Sequence, residues 1–136
     1  MTICINCNLP LKIYASKYCS NSCQKEYEYK QYIQAWKLKQ RDGGRGKYTR
    51  NLSAHISKYI HLKYGDRCSL CKWRECNPVT GKSPLEIDHI DGDSKNNTED
   101  NLILLCPNCH SLTSTYKNLN KGHGRLWRRE KYVKIV

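Results

Sequence analysis

Phenylalanine is absent from this 136-residue chain, and the mean hydropathy is only −0.81. Tyrosine supplies most of the aromatic stock, and a buried tyrosine needs a partner for its hydroxyl. So little apolar material excludes a large core. One ordinary domain, or two very small ones, would need staples. No cationic-then-apolar leader opens the sequence and no run is long enough to cross a bilayer. The expectation is therefore a reducing, cytoplasmic setting. Heptads and extended apolar stripes are missing as well, which leaves a monomer or a transient dimer on a partner. Carboxylates are also scarce, twelve against 24 Lys and Arg, for a net charge of +12.

Nine cysteines are available as staples. Eight fall in close pairs: Cys4 and Cys7, Cys19 and Cys23, Cys68 and Cys71, Cys106 and Cys109. Such spacing presents two thiolates to one ion, and in a cytosolic chain it favours zinc over disulfides. Two structural zinc ions follow, each held by four cysteines. Cys76 has no partner and reads as a small buried hydrophobe. Each four-thiolate site carries about −2 with its zinc, so the chain stays basic at about +8. Nucleic acid is the expected partner, ahead of lipid.

Four stretches are distinguishable. Residues 1–40 form a small zinc unit followed by a helix over about 22–39, with Ser20 or Asn21 as N-cap. Tyr29, Ile33 and Trp36 share one face of it. Residues 41–51 form a basic linker whose glycines oppose regular structure, either a solvated hinge or an arm tracking a nucleic-acid backbone. Residues 52–116 hold a short helix ending at Gly65, then zinc knuckle, strand (85–90), loop, strand (101–105) and a helix from the second knuckle. The tail, 117–136, is basic, with Trp127 as either wedge or core anchor. Backbone contacts to DNA are expected from Arg41, Arg45, Lys47, Arg50, Lys117, Lys121, Arg125, Arg128 and Arg129.

Half of the carboxylates crowd between Glu86 and Asp100, where only Lys95 offsets them; that window is −5 and the rest of the chain +17. Asp88 and His89 end the first strand, and His110 begins the last helix. Asp88 and His110 offer an incomplete coordination sphere for a divalent ion, with room for a phosphate oxygen. His89 is then free to take a proton from water. Asn101 can lock the long loop by bonding backbone. Adjacent strand residues point to opposite faces, so this arrangement requires the strand to end or twist at His89.

The stretch IDHIDGD…NNTEDNL…LLCPNCHSLT resembles the core of the HNH endonuclease family, in its form clamped by two Cys-x-x-Cys knuckles. The resemblance spans about residues 65–116. It implies a small zinc-stabilised α+β fold: a ββα-metal unit with structural zinc on Cys68, Cys71, Cys106 and Cys109. It further implies His89 as general base, Asn101 as loop-orienting residue, and Asp88 and His110 as ligands of a catalytic cation, magnesium or manganese before other transition ions. The reaction implied is hydrolysis of double-stranded DNA to 5′-phosphate and 3′-hydroxyl ends. The N-terminal piece, with Cys4, Cys7, Cys19 and Cys23, is similar to a treble-clef finger. The overall layout looks like small phage-encoded homing endonucleases, which implies the cytoplasm of a host cell. The competing reading is a non-catalytic, two-zinc DNA-binding regulator; it accounts for charge and cysteines but not for Asp88, His89, Asn101 and His110 together.

Overall fold

The computed structural model describes residues 2–45 and 51–120. Lys47, Arg50, Lys121, Arg125, Trp127, Arg128 and Arg129, on which DNA contacts were expected, lie outside the described residues. The chain divides into two compact units, Met1–Arg41 and Asp42–Val136.

In the first unit the backbone folds back at the first cysteine pair. Cys4 N–H donates to the Leu9 carbonyl (2.8 Å), and Asn8 N–H donates to the Cys4 carbonyl (2.9 Å). Asn8 takes the left-handed conformation this turn needs, with φ 62°; Asn tolerates it better than most residues. Helix α1 spans Asn21–Lys37, and the Ser20 hydroxyl accepts from Cys23 N–H as N-cap. Ile33 and Trp36 are buried, while Tyr29 on the same face is only partly so. The helix stops before the expected end: Lys39, at φ 60°, turns the chain, and Lys39 and Gln40 N–H close on the Trp36 and Ala35 carbonyls.

The second unit opens with a strand-like contact. Ser53 N–H reaches the Gly43 carbonyl (2.9 Å) and Arg45 N–H the Asn51 carbonyl (2.7 Å), so the described flanks of the expected linker pair with each other. Helix α2 (Ala54–Tyr64) is capped by Ser53 and ends at Gly65 in the left-handed conformation, φ 64°. Its Ile56 and Ile60, one turn apart, are fully buried. Strands β1 (Glu86–His89) and β2 (Leu102–Leu105) pair antiparallel, with His89 opposite Leu102 and Glu86 opposite Leu105. β2 contributes Leu102, Leu104 and Leu105 to the core, and α2 packs against this strand.

Helix α3 begins at the second knuckle, as expected, and spans only Pro107–Ser111. The Ser111 and Thr113 hydroxyls bond the Asn108 and His110 carbonyls, and such back-bonding competes with helix continuation. Cys76 is exposed, which corrects the expectation of a buried hydrophobe. It lies in a polar stretch after the knuckle in which every side chain is exposed. No helix among the described residues is long and apolar enough to cross a membrane.

Candidate metal centres and active site

The cysteines gather in two groups of four: Cys4, Cys7, Cys19 and Cys23, and Cys68, Cys71, Cys106 and Cys109. Within each group the Sγ atoms all lie within 4.8 Å of one another. All eight thiols are free. Cys7–Cys19 and Cys71–Cys106 stand 3.6 Å apart and Cys19–Cys23 3.4 Å. A tetrahedral ion with Zn–S bonds near 2.3 Å would set its sulfurs about 3.8 Å apart. Soft donors, number and spacing all fit zinc.

Electrostatics say the same. Burial alone would raise the Cys4 thiol, yet N–H groups of Cys7, Cys19 and Asn6 and the Cys7 side chain bring it to about 6. Cys68 likewise overcomes burial through N–H groups of Cys71, Cys106 and Leu70 and reaches about 6. Within the same groups, Cys19 is pushed up to about 12 by its neighbours Cys23 and Cys7 and by burial. Cys109 is pushed up to about 12 by Cys106, by burial and by Cys68. One thiol in each group ionises easily and another only with difficulty, a conflict that a divalent cation relieves.

The second cysteine group also sets the neighbouring elements. Ser69 N–H donates to the Leu104 carbonyl (2.9 Å), which docks the knuckle on β2. Cys106 caps α3, its Sγ accepting from Cys109 N–H. His110, one turn on, therefore starts from a fixed backbone. Its Nε2 faces Asp88 Oδ1 at 3.7 Å, while Nδ1 lies 2.7 Å from Glu86 Oε2. The Tyr116 ring meets the imidazole edge-on, centroids 5.1 Å apart.

Asp88 and His89 diverge, as neighbours on a regular strand do, so β1 does not supply the twist that the sequence reading required. Asp88 turns to α3, whereas His89 turns to the loop that joins the strands. There His89 Nε2 bonds the Asn97 side-chain oxygen at 2.7 Å, and His89 lines a cleft of about 500 Å³ together with Ser57 and His61 of α2. The neutral imidazole that donates through Nε2 keeps its lone pair on Nδ1.

Asn101 stitches the loop. Its amide donates to Asp91 Oδ1 (2.9 Å) and the Asn96 carbonyl (2.7 Å), and its oxygen accepts from Asp91 N–H (3.0 Å). Burial would raise the Asp91 carboxyl, but bonds from Asn96, Asp93 N–H and Asn101 hold it below the usual range. Gly92 turns this loop at φ 74°, and Asn120 Nδ2 holds its carbonyl at 2.8 Å.

Of the residues singled out from sequence, Asp88 and His110 are brought face to face and Asn101 is tied to the loop after β1, whereas His89 turns to that loop rather than to Asp88 and His110. Glu86 and Asn97 escaped the sequence reading. Glu86 lies two positions before Asp88, a same-face signal on any strand. Asn97 is one of several loop asparagines and carries no comparable signal.

Residues 68–115 match the model of the HNH endonuclease family. The chain carries that family's domain over this stretch. Over 57 residues it is also 47% identical to H-N-H endonuclease F-TflIV of Escherichia phage T5, an overlap of 42% of this chain. The chain spans 23% of the length of that curated relative. No solved structure matches.

Proposed function

We propose that the chain is a metal-dependent DNA endonuclease whose reaction centre is built by β1, the loop after it and α3. The observation that carries this reading is the pairing of Asp88 Oδ1 with His110 Nε2 at 3.7 Å, inside the stretch that matches the HNH family.

Asp88 and His110 would hold a divalent cation, magnesium or manganese, which supplies charge neutralisation at the scissile phosphate and the departing 3′ oxygen. His89 accepts a proton at Nδ1 from the attacking water, whose oxygen bonds to phosphorus as the P–O3′ bond breaks. The products are a 5′-phosphate and, once the leaving oxygen is protonated by solvent, a 3′-hydroxyl. Asn97 keeps Nδ1 of His89 turned outward by occupying Nε2. Asn101 keeps the loop that carries Asn97 closed.

The first unit, with a knuckle supplying Cys4 and Cys7 and a helix start supplying Cys19 and Cys23, is read as a treble-clef-like zinc finger. Residues 41–51 and 117–136 are read as basic segments on the DNA backbone, giving affinity that falls steeply with salt. One reaction centre cuts one strand, so a double-strand break needs sequential nicks or a transient dimer on DNA. The phage relative supports a role in phage DNA within a host cytoplasm, and a site-specific homing enzyme is the role we favour.

The test is nicking of supercoiled plasmid by the zinc-loaded protein, wild type beside His89→Ala, with magnesium, manganese or EDTA. Metal-dependent relaxation by wild type, reduced at least about 100-fold in His89→Ala, is expected. Equal turnover by a folded His89→Ala protein would remove His89 from the reaction. Binding without cleavage by wild type on every DNA offered would favour a two-zinc DNA-binding regulator.

A further inference from the structure

We infer that Glu86 is a positioning residue for the cation site: its carboxylate holds Nδ1–H of His110 and thereby presents Nε2, as the lone-pair nitrogen, beside Asp88. The inference rests on the reading of Asp88 and His110 as cation ligands, and it adds a residue that this reading does not contain.

Three observations converge on it. Strand alternation puts Glu86 and Asp88 on one face of β1, the first reaching one nitrogen of His110 and the second facing the other. The Glu86 contact, at 2.7 Å, is a short charge-assisted hydrogen bond. The Asp88 separation, at 3.7 Å, is too long for a hydrogen bond. It does suit two donors of one ion, which at bonds of about 2.1 Å stand about 3 to 4.2 Å apart. With Tyr116 against the ring edge, the imidazole is fixed in both tautomer and orientation.

Glu86 is not a third ligand. Among the described residues, only the two cysteine groups bring three or more ligand atoms within 4.8 Å of one another; Glu86, Asp88 and His110 do not form such a group. An oxygen bonded to Nδ1 lies across the ring from Nε2 and cannot share its ion. Ligating histidines commonly donate their other nitrogen to a carboxylate, and removing that partner lowers metal affinity about 10- to 100-fold. A surface ion pair of no further consequence is the rival account, since the Glu86 side chain is 61% exposed.

That exposure also makes the test clean, because truncation at residue 86 leaves no cavity. Protein loaded with two zinc ions per chain is titrated with manganese by calorimetry, and the His110 tautomer is read from its ring nitrogen shifts by NMR. Glu86→Ala is expected to melt as wild type does, to bind manganese about 10- to 100-fold more weakly, and to lose the Nδ1–H preference at His110. Glu86→Gln retains an oxygen acceptor and is expected to keep the tautomer and lose less affinity. Wild-type affinity and tautomer in Glu86→Ala would overturn the inference while leaving the cation site standing. Failure of wild type to take up manganese beyond its zinc sites would overturn the site itself, and the role of Glu86 with it.

Discussion

The two cysteine groups are built alike at their first pair and differ in everything that follows. Cys68 N–H donates to the Trp73 carbonyl and Lys72 N–H to the Cys68 carbonyl, at 2.8 and 2.9 Å, the same closure that Cys4, Leu9 and Asn8 make. Lys72, at φ 67°, takes the left-handed place that Asn8 has in the first unit. In each group the first cysteine is fully buried and its thiol brought to about 6. Yet residues 8–18 lead from knuckle to helix in the first unit, while residues 72–105 intervene in the second and contain both strands and the loop. The sulfur clamp is thus a way to close a small unit with little apolar mass, indifferent to chemistry. The acidic window belongs to the insertion. Four of its six carboxylates are a candidate cation ligand (Asp88), a hydrogen-bond acceptor for His110 (Glu86), a loop brace (Asp91) and a tie to α2, Glu99, which accepts from Tyr59 and Lys63.

The comparison breaks most sharply at the clamps. Cys68→Ser is expected to remove one zinc per chain and about 10 kcal/mol of folding free energy from the second unit, because zinc binding energy is folding energy in such units. Nicking should vanish with it. Cys4→Ser should also lose one zinc, but metal-dependent nicking at saturating DNA should persist, with weaker binding. Zinc content, thermal melting and plasmid relaxation measured on both variants decide it. A Cys68→Ser protein that melts normally with two zinc ions, or a Cys4→Ser protein with no cleavage at any DNA concentration, would end the division of labour.

The insertion makes demands of its own, and two glycines separate them. Gly81 and Gly92 both hold positive φ, 67° and 74°. A Cβ on Gly81 meets open space, whereas one on Gly92 would collide with Asn120 Oδ1 and approach Thr115 Cγ2 to 2.9 Å. Gly81→Ala should therefore cost about 1 kcal/mol for conformation alone. Gly92→Ala should cost about 2 to 4 kcal/mol once crowding is added. Denaturant unfolding of the two variants gives the difference directly. Equal costs would mean that the contact between Asn120 and the loop is dispensable.

How much of this was legible depended on whether the signal was local. Cysteine spacing read as metal ligation because two thiolates a turn apart have few other uses. Ser20 and Gly65 marked helix ends because capping chemistry lies within four residues. Helix α1 outran its true end in the sequence reading because Lys39 turns the chain left-handed without a glycine. The early stop of helix α3 was not legible, because serine and threonine back-bonding leaves the apolar pattern unchanged. Cys76 was misjudged since nothing in composition tells a free thiol in a polar loop from a core one. Asp88, His89, Asn101 and His110 were legible as a set, from their chemistry around the two strands and then from a family resemblance, and each alone would have passed for a strand end or a loop residue. Glu86 and Asn97 act through contacts between elements, and those exist only after folding.

Asn97 gives the smallest expected effect and the finest division within the insertion. Asn97 and Asn101 are both buried asparagines of the same loop, but one bonds an imidazole and the other bonds backbone and Asp91. Asn101→Ala would strand the Asp91 N–H and the Asn96 carbonyl, so it should lower both stability and nicking. Asn97→Ala removes the acceptor at His89 Nε2 and leaves the Asn101 bonds to Asp91 and the Asn96 carbonyl in place. The His89 ring is then free to exchange tautomers, and the fraction presenting Nδ1 as base falls. Nicking at saturating DNA should drop about tenfold, equivalent to about 1.4 kcal/mol in the barrier, with little change in DNA affinity. Matching losses of stability and rate in both variants would show that Asn97 serves the loop rather than the histidine. A drop in rate confined to Asn97→Ala, with the melting temperature held, would assign the two asparagines different work at a site where the sequence distinguishes them only by position.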